Sequence, residues 1–317
     1  MDIRGQYEEW FRAIIAGDVE GVKRGIGAGL DIDARTDRGR TPLMLAARFG
    51  RADVADALIR AGADVDATVD ALGTNDDDAR DAVHLEKMQT IVESAADIPA
   101  SDGAGQKLVR GVAGFLSALH AAGGHAADGR PVKAVFTEAD EDDGFEPHEL
   151  STALCHAAAY GYTDVARRLV VEGADVDAPR WDCTPPLVHA AARGDLAMAG
   201  LLVGAGANPD DGFDLTALEA AAAHGHADTI SRLLQAGATP DAMNENAQTP
   251  LMRAAENGHL TAVHVLIHGG ADPNVWEQGE TALLCAARSG HEDVVEYLEG
   301  ITSEEIREWV RIEMRER

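Results

Sequence analysis

The sequence predicts an all-α solenoid of short helix–turn–helix units, and two observations carry this prediction. A ten-residue segment recurs five times in the C-terminal half and closes on Gly161, Gly194, Gly225, Gly258 and Gly290. These glycines lie 33, 31, 33 and 32 residues apart, and a sixth copy, TPLMLAARFG, occupies residues 41–50. Within each copy the apolar residues recur at helical spacing. A fixed period of about 33 residues indicates a one-dimensional repeat array.

Residues 249–274 show how one repeat specifies two helices. Thr249 is a favourable N-cap, and Pro250 suits the first helical position. Gly258 suits a helix end that requires a left-handed residue. A unit of this size buries its apolar stripes only by stacking on neighbours, so the stripe residues are expected to form the scaffold. The two stripes comprise Leu251, Ala254 and Ala255, and Val263, Leu266 and Ile267.

The Thr-Pro-Leu-x-x-Ala-Ala opening, together with the period, resembles the ankyrin-repeat family over almost the whole chain. The resemblance implies a solenoid of about eight repeats joined by short finger loops. It also implies that finger tips and first helices line a concave face that holds partner proteins. Three histidines that follow closing glycines match the family's Gly-His pair and are interpreted as structural turns: His226, His259 and His291.

Four segments are expected along the chain. Residues 1–68 hold two N-terminal repeats, the first of them degenerate. Residues 69–149 are interpreted as a divergent third repeat with insertions and an acidic loop. Residues 150–300 hold five regular repeats, and residues 301–317 form a C-terminal capping helix. That helix is expected to begin with a capping box from Thr302 to Glu305, and Trp309 is interpreted as a capping residue in preference to a binding residue.

The third repeat is inferred to be expanded because Gly50 and Gly161 lie 111 residues apart, which exceeds three periods. Residues 111–128 resemble part of a repeat, and residues 76–97 have the spacing of an added helix. Residues 131–136 have the composition of a short strand.

An acidic run follows within this segment and contains Asp140, Asp142 and Asp143. A calcium-binding loop of the EF-hand type is excluded because Asp143 stands where that loop requires glycine. A solvated loop and a partner-binding finger are the two remaining interpretations.

The formal net charge of −28 and the pI near 4.6 constrain the partners. Nucleic acid and anionic membrane surfaces require basic protein surfaces, so both are disfavoured. A basic protein partner attracted by the negative field is the natural counterpart. The alternative is that the acidic charge only maintains solubility.

The first residues show no secretory signal, and no apolar run in the sequence is long enough for a membrane helix. Three cysteines without a Cys-x-x-Cys pair do not form a disulfide framework. A cytoplasmic protein that is monomeric when free is therefore expected. Arginine outnumbers lysine 23 to 4, which indicates a bacterial type from a GC-rich genome.

Two sets of partner-binding residues follow from the resemblance, and the acidic run supplies a third. The finger tips carry Arg38, Arg40, Trp181, Asp182, Phe213, Asp214, Asn246, Trp276 and Glu277. The position before each closing glycine carries Phe49, Tyr160, Arg193, His224, Asn257 and Ser289. Exposed aromatic and arginine side chains are common interface anchors. The alternative for each aromatic ring is that it folds back over a neighbouring finger.

No metal, cofactor or catalytic site is predicted. Cys155, His156, Cys183 and His189 lie in adjacent repeats but lack zinc-type spacing, so buried core residues are the preferred interpretation. No nucleophile elbow, phosphate loop or His-Glu-x-x-His motif occurs.

The functional prediction is a non-catalytic protein-binding module with an acidic concave face. Its more specific form is an immunity or inhibitor protein for a basic toxin or enzyme. A scaffold or regulatory subunit is the alternative, and an enzyme with its site in residues 69–149 is the distant third.

Overall fold

The computed structural model describes residues 3–36, 39–68, 152–178, 184–212, 215–244 and 247–315. Within these ranges the chain forms fifteen α-helices and no β-strand. The first eight helices are α1 Ile3–Ala16, α2 Val19–Gly27, α3 Pro42–Arg48, α4 Ala52–Arg60, α5 Ala153–Tyr160, α6 Thr163–Val171, α7 Pro186–Ala192 and α8 Leu196–Gly204. The remaining helices are α9 Ala217–Ala223, α10 Ala227–Gln235, α11 Pro250–Glu256, α12 Leu260–His268, α13 Ala282–Ser289, α14 Glu292–Glu299 and α15 Glu304–Arg315.

The chain divides into two compact units. The first comprises Met1–Ala34, Arg40–Val69 and Ala139–Arg317, and it contains all fifteen helices. The second comprises Arg35–Gly39 and Asp70–Glu138. In the described part of the second unit, the Arg35 guanidinium donates a hydrogen bond of 2.8 Å to the Gly39 carbonyl oxygen.

The first helix of most repeats begins at a threonine, as the sequence predicted. In α11, for example, the Thr249 hydroxyl oxygen accepts a 3.3 Å hydrogen bond from the backbone N–H of Met252. This bond satisfies one of the free donors at the helix start. The same cap is made by Thr41, Thr152, Thr216 and Thr281. In α7 Pro185 takes the place of threonine, and no side-chain cap forms.

Gly258 ends the first helix of its repeat for two physical reasons. Its φ of 72° lies in the left-handed region that favours glycine. A Cβ atom there would also collide with the imidazole of His291 from the next repeat. That imidazole is fixed because its Nε2 lies 3.0 Å from the carbonyl oxygen of Glu256. The structural interpretation of the Gly-His pairs is therefore confirmed, since His226 and His259 make the same contact with the preceding repeat.

The hydrophobic core lies between the two helices of each repeat and between successive repeats. Leu251 is 1% exposed, and the equivalent leucines are buried equally well: Leu43, Leu154, Leu187, Leu218 and Leu283. The paired alanines of the first helices are also buried, except for the half-buried Ala287, and this allows neighbouring helices to approach closely.

The second repeat packs directly on the repeat at residues 152–178. Helix α3 contacts α5, and α4 contacts α6. Arg168 on α6 also pairs with Asp56 on α4. The described residues thus form seven helix pairs plus a capping helix, and the predicted divergent repeat within residues 69–149 stays a prediction. The predicted helix at 76–97, partial repeat at 111–128 and strand at 131–136 lie outside the described residues.

The degenerate first repeat forms both of its helices despite its glycines. Asp18 caps α2 by accepting a 3.0 Å hydrogen bond from the Gly21 N–H. The Trp10 indole lies against Gly25, where any Cβ would collide with the ring. Its Nε1 donates a 3.0 Å hydrogen bond to the Val22 carbonyl oxygen. Gly25 therefore provides the space that the Trp10 ring occupies.

The C-terminal helix α15 caps the stack, but its predicted capping box is wrong. The Ser303 hydroxyl, not that of Thr302, accepts the backbone N–H of Ile306 at 3.4 Å. The Thr302 hydroxyl instead donates to the Leu298 carbonyl oxygen of α14 at 2.9 Å. Thr302 is buried, so its hydroxyl is used to close α14 rather than to open α15. Ile306 and Val310 form the buried stripe of α15.

Candidate protein-binding surface

Nine of the eighteen predicted contact residues belong to the part of the chain that the structure describes: Arg40, Phe49, Tyr160, Arg193, His224, Asn257, Ser289, Trp276 and Glu277. The others lie outside the described residues, so their binding roles stay predictions: Arg38, Trp181, Asp182, Phe213, Asp214, Asn246, Asp140, Asp142 and Asp143.

Arg40 does not lie on an exposed finger tip, and that placement is wrong. Its side chain is 1% exposed. It directly precedes Thr41, the N-cap of α3. The Arg40 and Arg48 charges both act on His156, a fully buried residue of α5. Arg40 therefore belongs to the packed interior of the array.

Residues before the closing glycines form a row along the ends of the first helices, which we call the first-helix row. Phe49 and Tyr160 are half-buried. Arg193, His224, Asn257 and Ser289 are exposed. The row is thus aromatic at its N-terminal end and polar farther along.

The aromatic end of the row is a stacked cluster. The Arg48 guanidinium lies 5.6 Å from the centre of the Phe49 ring and 5.8 Å from that of Tyr160. The Tyr160 ring stacks on His156 at 6.5 Å and on Tyr162 at 6.4 Å. Cation–π and ring contacts of this kind fix the aromatic side chains in place.

His156 is held neutral beneath this cluster. Burial lowers the pKa of its imidazole well below the ordinary value of 6.5, and Arg40, Arg48 and His189 lower it further. Bringing a charged imidazole into this position would combine desolvation with repulsion from neighbouring cations.

Glu219 is a buried carboxylate that sequence reasoning missed. Its side chain is 2% exposed, and its Oε1 accepts a 2.6 Å hydrogen bond from the Asn244 amide. The Arg253 guanidinium Nε lies 3.6 Å from the same oxygen. Burial raises the pKa of Glu219, although Asn244 and Arg253 act in the opposite direction. The sequence does contain a signal for this buried site, because Glu219 stands at a position where the other repeats carry apolar residues: Met44, Cys155, Val188, Met252 and Leu284.

The last repeat is tied to the capping helix by charged groups. Arg288 on α13 pairs with Glu280 of the preceding finger and, at 3.2 Å, with Glu313 on α15. The Cys285 thiol lies 3.6 Å from Glu280. Burial and the Glu280 charge raise the pKa of Cys285 to about 12, so this thiol stays protonated at neutral pH.

The Trp276 ring is both packed against a neighbouring element and exposed, which are the two alternatives that the sequence left open. Its ring folds against Trp309 of α15, with centroids 4.5 Å apart and planes inclined by 39°. It nevertheless remains 42% exposed. Trp309 is half-buried and packs on the last finger as a capping residue. Together the two indoles present an aromatic surface at the C-terminal end of the stack.

The described ranges contain no group of three or more histidine, cysteine, aspartate or glutamate residues placed to hold a metal ion. Cys155 and Cys285 are free and buried. None of the described helices is long and apolar enough to cross a membrane.

The chain belongs to the ankyrin-repeat family. The ankyrin-repeat model matches residues 38–70 and 150–181, and a three-copy ankyrin-repeat model matches residues 187–276 and 218–304. Ankyrin repeats are protein–protein interaction modules.

The fold is also similar to the crystal structure of the human ASB11 ankyrin repeat domain. The TM-score is 0.60 at 19% sequence identity, and the alignment covers 91% of this chain and 96% of that domain. At this identity the likeness shows the fold alone. No curated protein matches the sequence.

Proposed function

We propose that this ankyrin-repeat protein is a non-catalytic binding module whose acidic concave face captures a basic partner protein. The exposed aspartates of the repeat junctions carry the acidic part of this proposal, and the first-helix row carries the binding part. Its scaffold neighbours repeat from unit to unit, whereas the row itself presents six different side chains. A varied row on a uniform scaffold is the arrangement that a surface specific for one partner requires.

The net charge of −28 supports a basic partner. Each repeat junction carries aspartates at the base of its finger, and several of these are exposed: Asp31, Asp64, Asp175 and Asp272. A negative field of this kind accelerates encounter with a cationic protein and weakens with added salt. In this proposal the protein acts in the cytoplasm and is monomeric until it binds its partner.

The specific role that we propose is inhibition: an immunity or inhibitor protein occupies and blocks a basic toxin or enzyme. A scaffold that assembles a complex without inhibition is the competing role. The two differ in one observable, the activity of the partner when it is bound. An enzymatic role would need a site within residues 69–149, which lie outside the described residues.

The test is affinity capture on the immobilised full chain, eluted over a salt gradient, followed by assay of the purified partner. Simultaneous replacement of Arg193, His224 and Asn257 by alanine is expected to abolish capture. The matched control replaces Arg167, Gln235 and His268, exposed residues of similar type on the second helices. Capture that survives the first set, or fails equally in both, would contradict the proposal. Loss of the partner's activity on binding would identify an inhibitor, and retained activity a scaffold.

A further inference from the structure

The Trp276–Trp309 pair is an exposed aromatic surface assembled from two elements. Trp276 lies in the finger before α13, and Trp309 lies on α15. Ile312, one helical turn after Trp309, is 49% exposed and extends the same face. Large exposed apolar patches on soluble proteins mark interaction sites.

Carboxylates frame this surface. Glu305 and Glu313 stand four residues before and after Trp309, so they flank the indole along one face of α15. Glu277 directly follows Trp276 and is exposed. Among the described residues, neither Glu277 nor Glu305 forms an ion pair, whereas Glu313 pairs with Arg288. Glu305, one helical turn from Trp309, and Glu277, next in sequence to Trp276, are thus exposed carboxylates available to a cationic partner.

The finger that carries Trp276 is hydrogen-bonded within itself and joined to α15 by ion pairs. The backbone N–H of Glu277 donates to the Glu280 carbonyl oxygen at 3.2 Å, and the reverse bond measures 2.8 Å. The Arg288 ion pairs join Glu280 to Glu313 and so connect the finger to α15. Preorganised groups lose little conformational entropy on binding.

We infer that this surface is a docking site for an arginine side chain on a basic segment of the partner. This inference rests on the proposed function and names one place where the basic partner is held. A guanidinium stacks on indole faces while its remaining N–H donors reach carboxylates in a planar fork. The two indoles, with Glu305 one helical turn away and Glu277 next in sequence, offer both kinds of contact. A lysine ammonium makes the charge contact but not the planar stack.

The test is titration of the ¹⁵N-labelled full chain with a hexa-arginine peptide and, in parallel, a hexa-lysine peptide. The chain has four tryptophans, so its indole N–H signals are few and are assigned by single Trp→Phe variants. Trp10 is 2% exposed and serves as an internal control. The arginine peptide is expected to shift the Trp276 and Trp309 signals and leave Trp10 unchanged. Trp276→Ala and Glu305→Gln are each expected to weaken binding about fivefold or more.

Glu172→Gln is the matched control because it removes the same charge at an exposed, distant position. Equal weakening by Glu172→Gln, equal binding of hexa-lysine, or unshifted tryptophan signals would overturn the inference. Concentration-dependent self-association that Trp276→Ala abolishes would assign the surface to a second copy and also overturn it. Partner capture that persists in Trp276→Ala would leave the proposed function standing while removing this site.

Discussion

The backbone N–H of Asp175 donates a 2.8 Å hydrogen bond to the Asp66 carboxylate across 109 residues of sequence. Asp64 makes the corresponding bond to Asp33 across only 31 residues. The two bonds occupy equivalent places at successive repeat junctions. Residues 68 and 152 therefore flank one ordinary junction of the array, although 83 residues of sequence separate them.

Replacement of residues 71–147 by a ten-residue Gly-Ser linker is expected to preserve the stack. The α3–α5 and α4–α6 contacts, together with the Asp56–Arg168 pair, involve only residues that the variant retains. The circular dichroism spectrum of the variant should remain that of a helical protein, and its urea unfolding should stay cooperative. An unfolded variant, or two separate transitions, would contradict direct packing of these repeats.

Leu251→Ala is expected to cost about 2–5 kcal/mol in the free energy of unfolding, because it leaves a cavity in a fully packed core. The control is Leu196→Ala, since Leu196 is 45% exposed and should cost about 1 kcal/mol or less. Both values are measured by urea denaturation. Similar costs for the two variants would refute the core assignment of Leu251.

His156 is expected to make the protein less stable as the pH falls below about 6.5. The pKa of its imidazole is lowered in the folded state, so below 6.5 the unfolded chain binds a proton that the folded chain does not. The loss should reach about 1 kcal/mol between pH 7 and pH 5.5. His156→Leu should remove this part of the pH dependence in urea titrations, whereas exposed His224→Leu should retain it.

Glu219 is expected to make the protein more stable, not less stable, as the pH falls. Its pKa is raised in the folded state, so the folded chain takes up a proton before the unfolded chain does, and stability rises as the pH falls towards 4.5. In Glu219→Gln this gain should be absent, because the amide does not titrate. The comparison is made by urea unfolding at pH 7 and pH 5, with His156→Leu as the background. An unchanged pH dependence would show that Glu219 is not buried as a titrating group.

The sequence was most informative where structure depends on near neighbours. Thr249, Leu251 and Gly258 were predicted as cap, core and turn because each role follows from positions within one repeat. Arg40 was placed incorrectly and Glu219 was missed, because their burial depends on packing against other repeats. The Trp276–Trp309 contact likewise joins two elements whose approach no periodicity encodes.

The position of the N-cap of α15 was also predicted wrongly, by one residue. Thr302 and Ser303 are both good caps, and tertiary packing decided between them by using the Thr302 hydroxyl to close α14. The predicted repeat within residues 69–149 rests on spacing alone and stays a prediction, because those residues lie outside the described ranges.

The aspartate bonds between successive fingers have a consequence for how such a chain changes in length. Each bond joins one finger to the next, as Asp177 does for Asn208 and Asp241 for Asp272. A whole repeat can therefore be gained or lost while every other junction keeps its own bond. A segment inserted after residue 68 is tolerated for the same reason, since the chain resumes at residue 152 without disturbing the Asp66–Asp175 bond. Each repeat can therefore be replaced separately, and a finger can accept an insertion while the sequences of the neighbouring repeats stay the same.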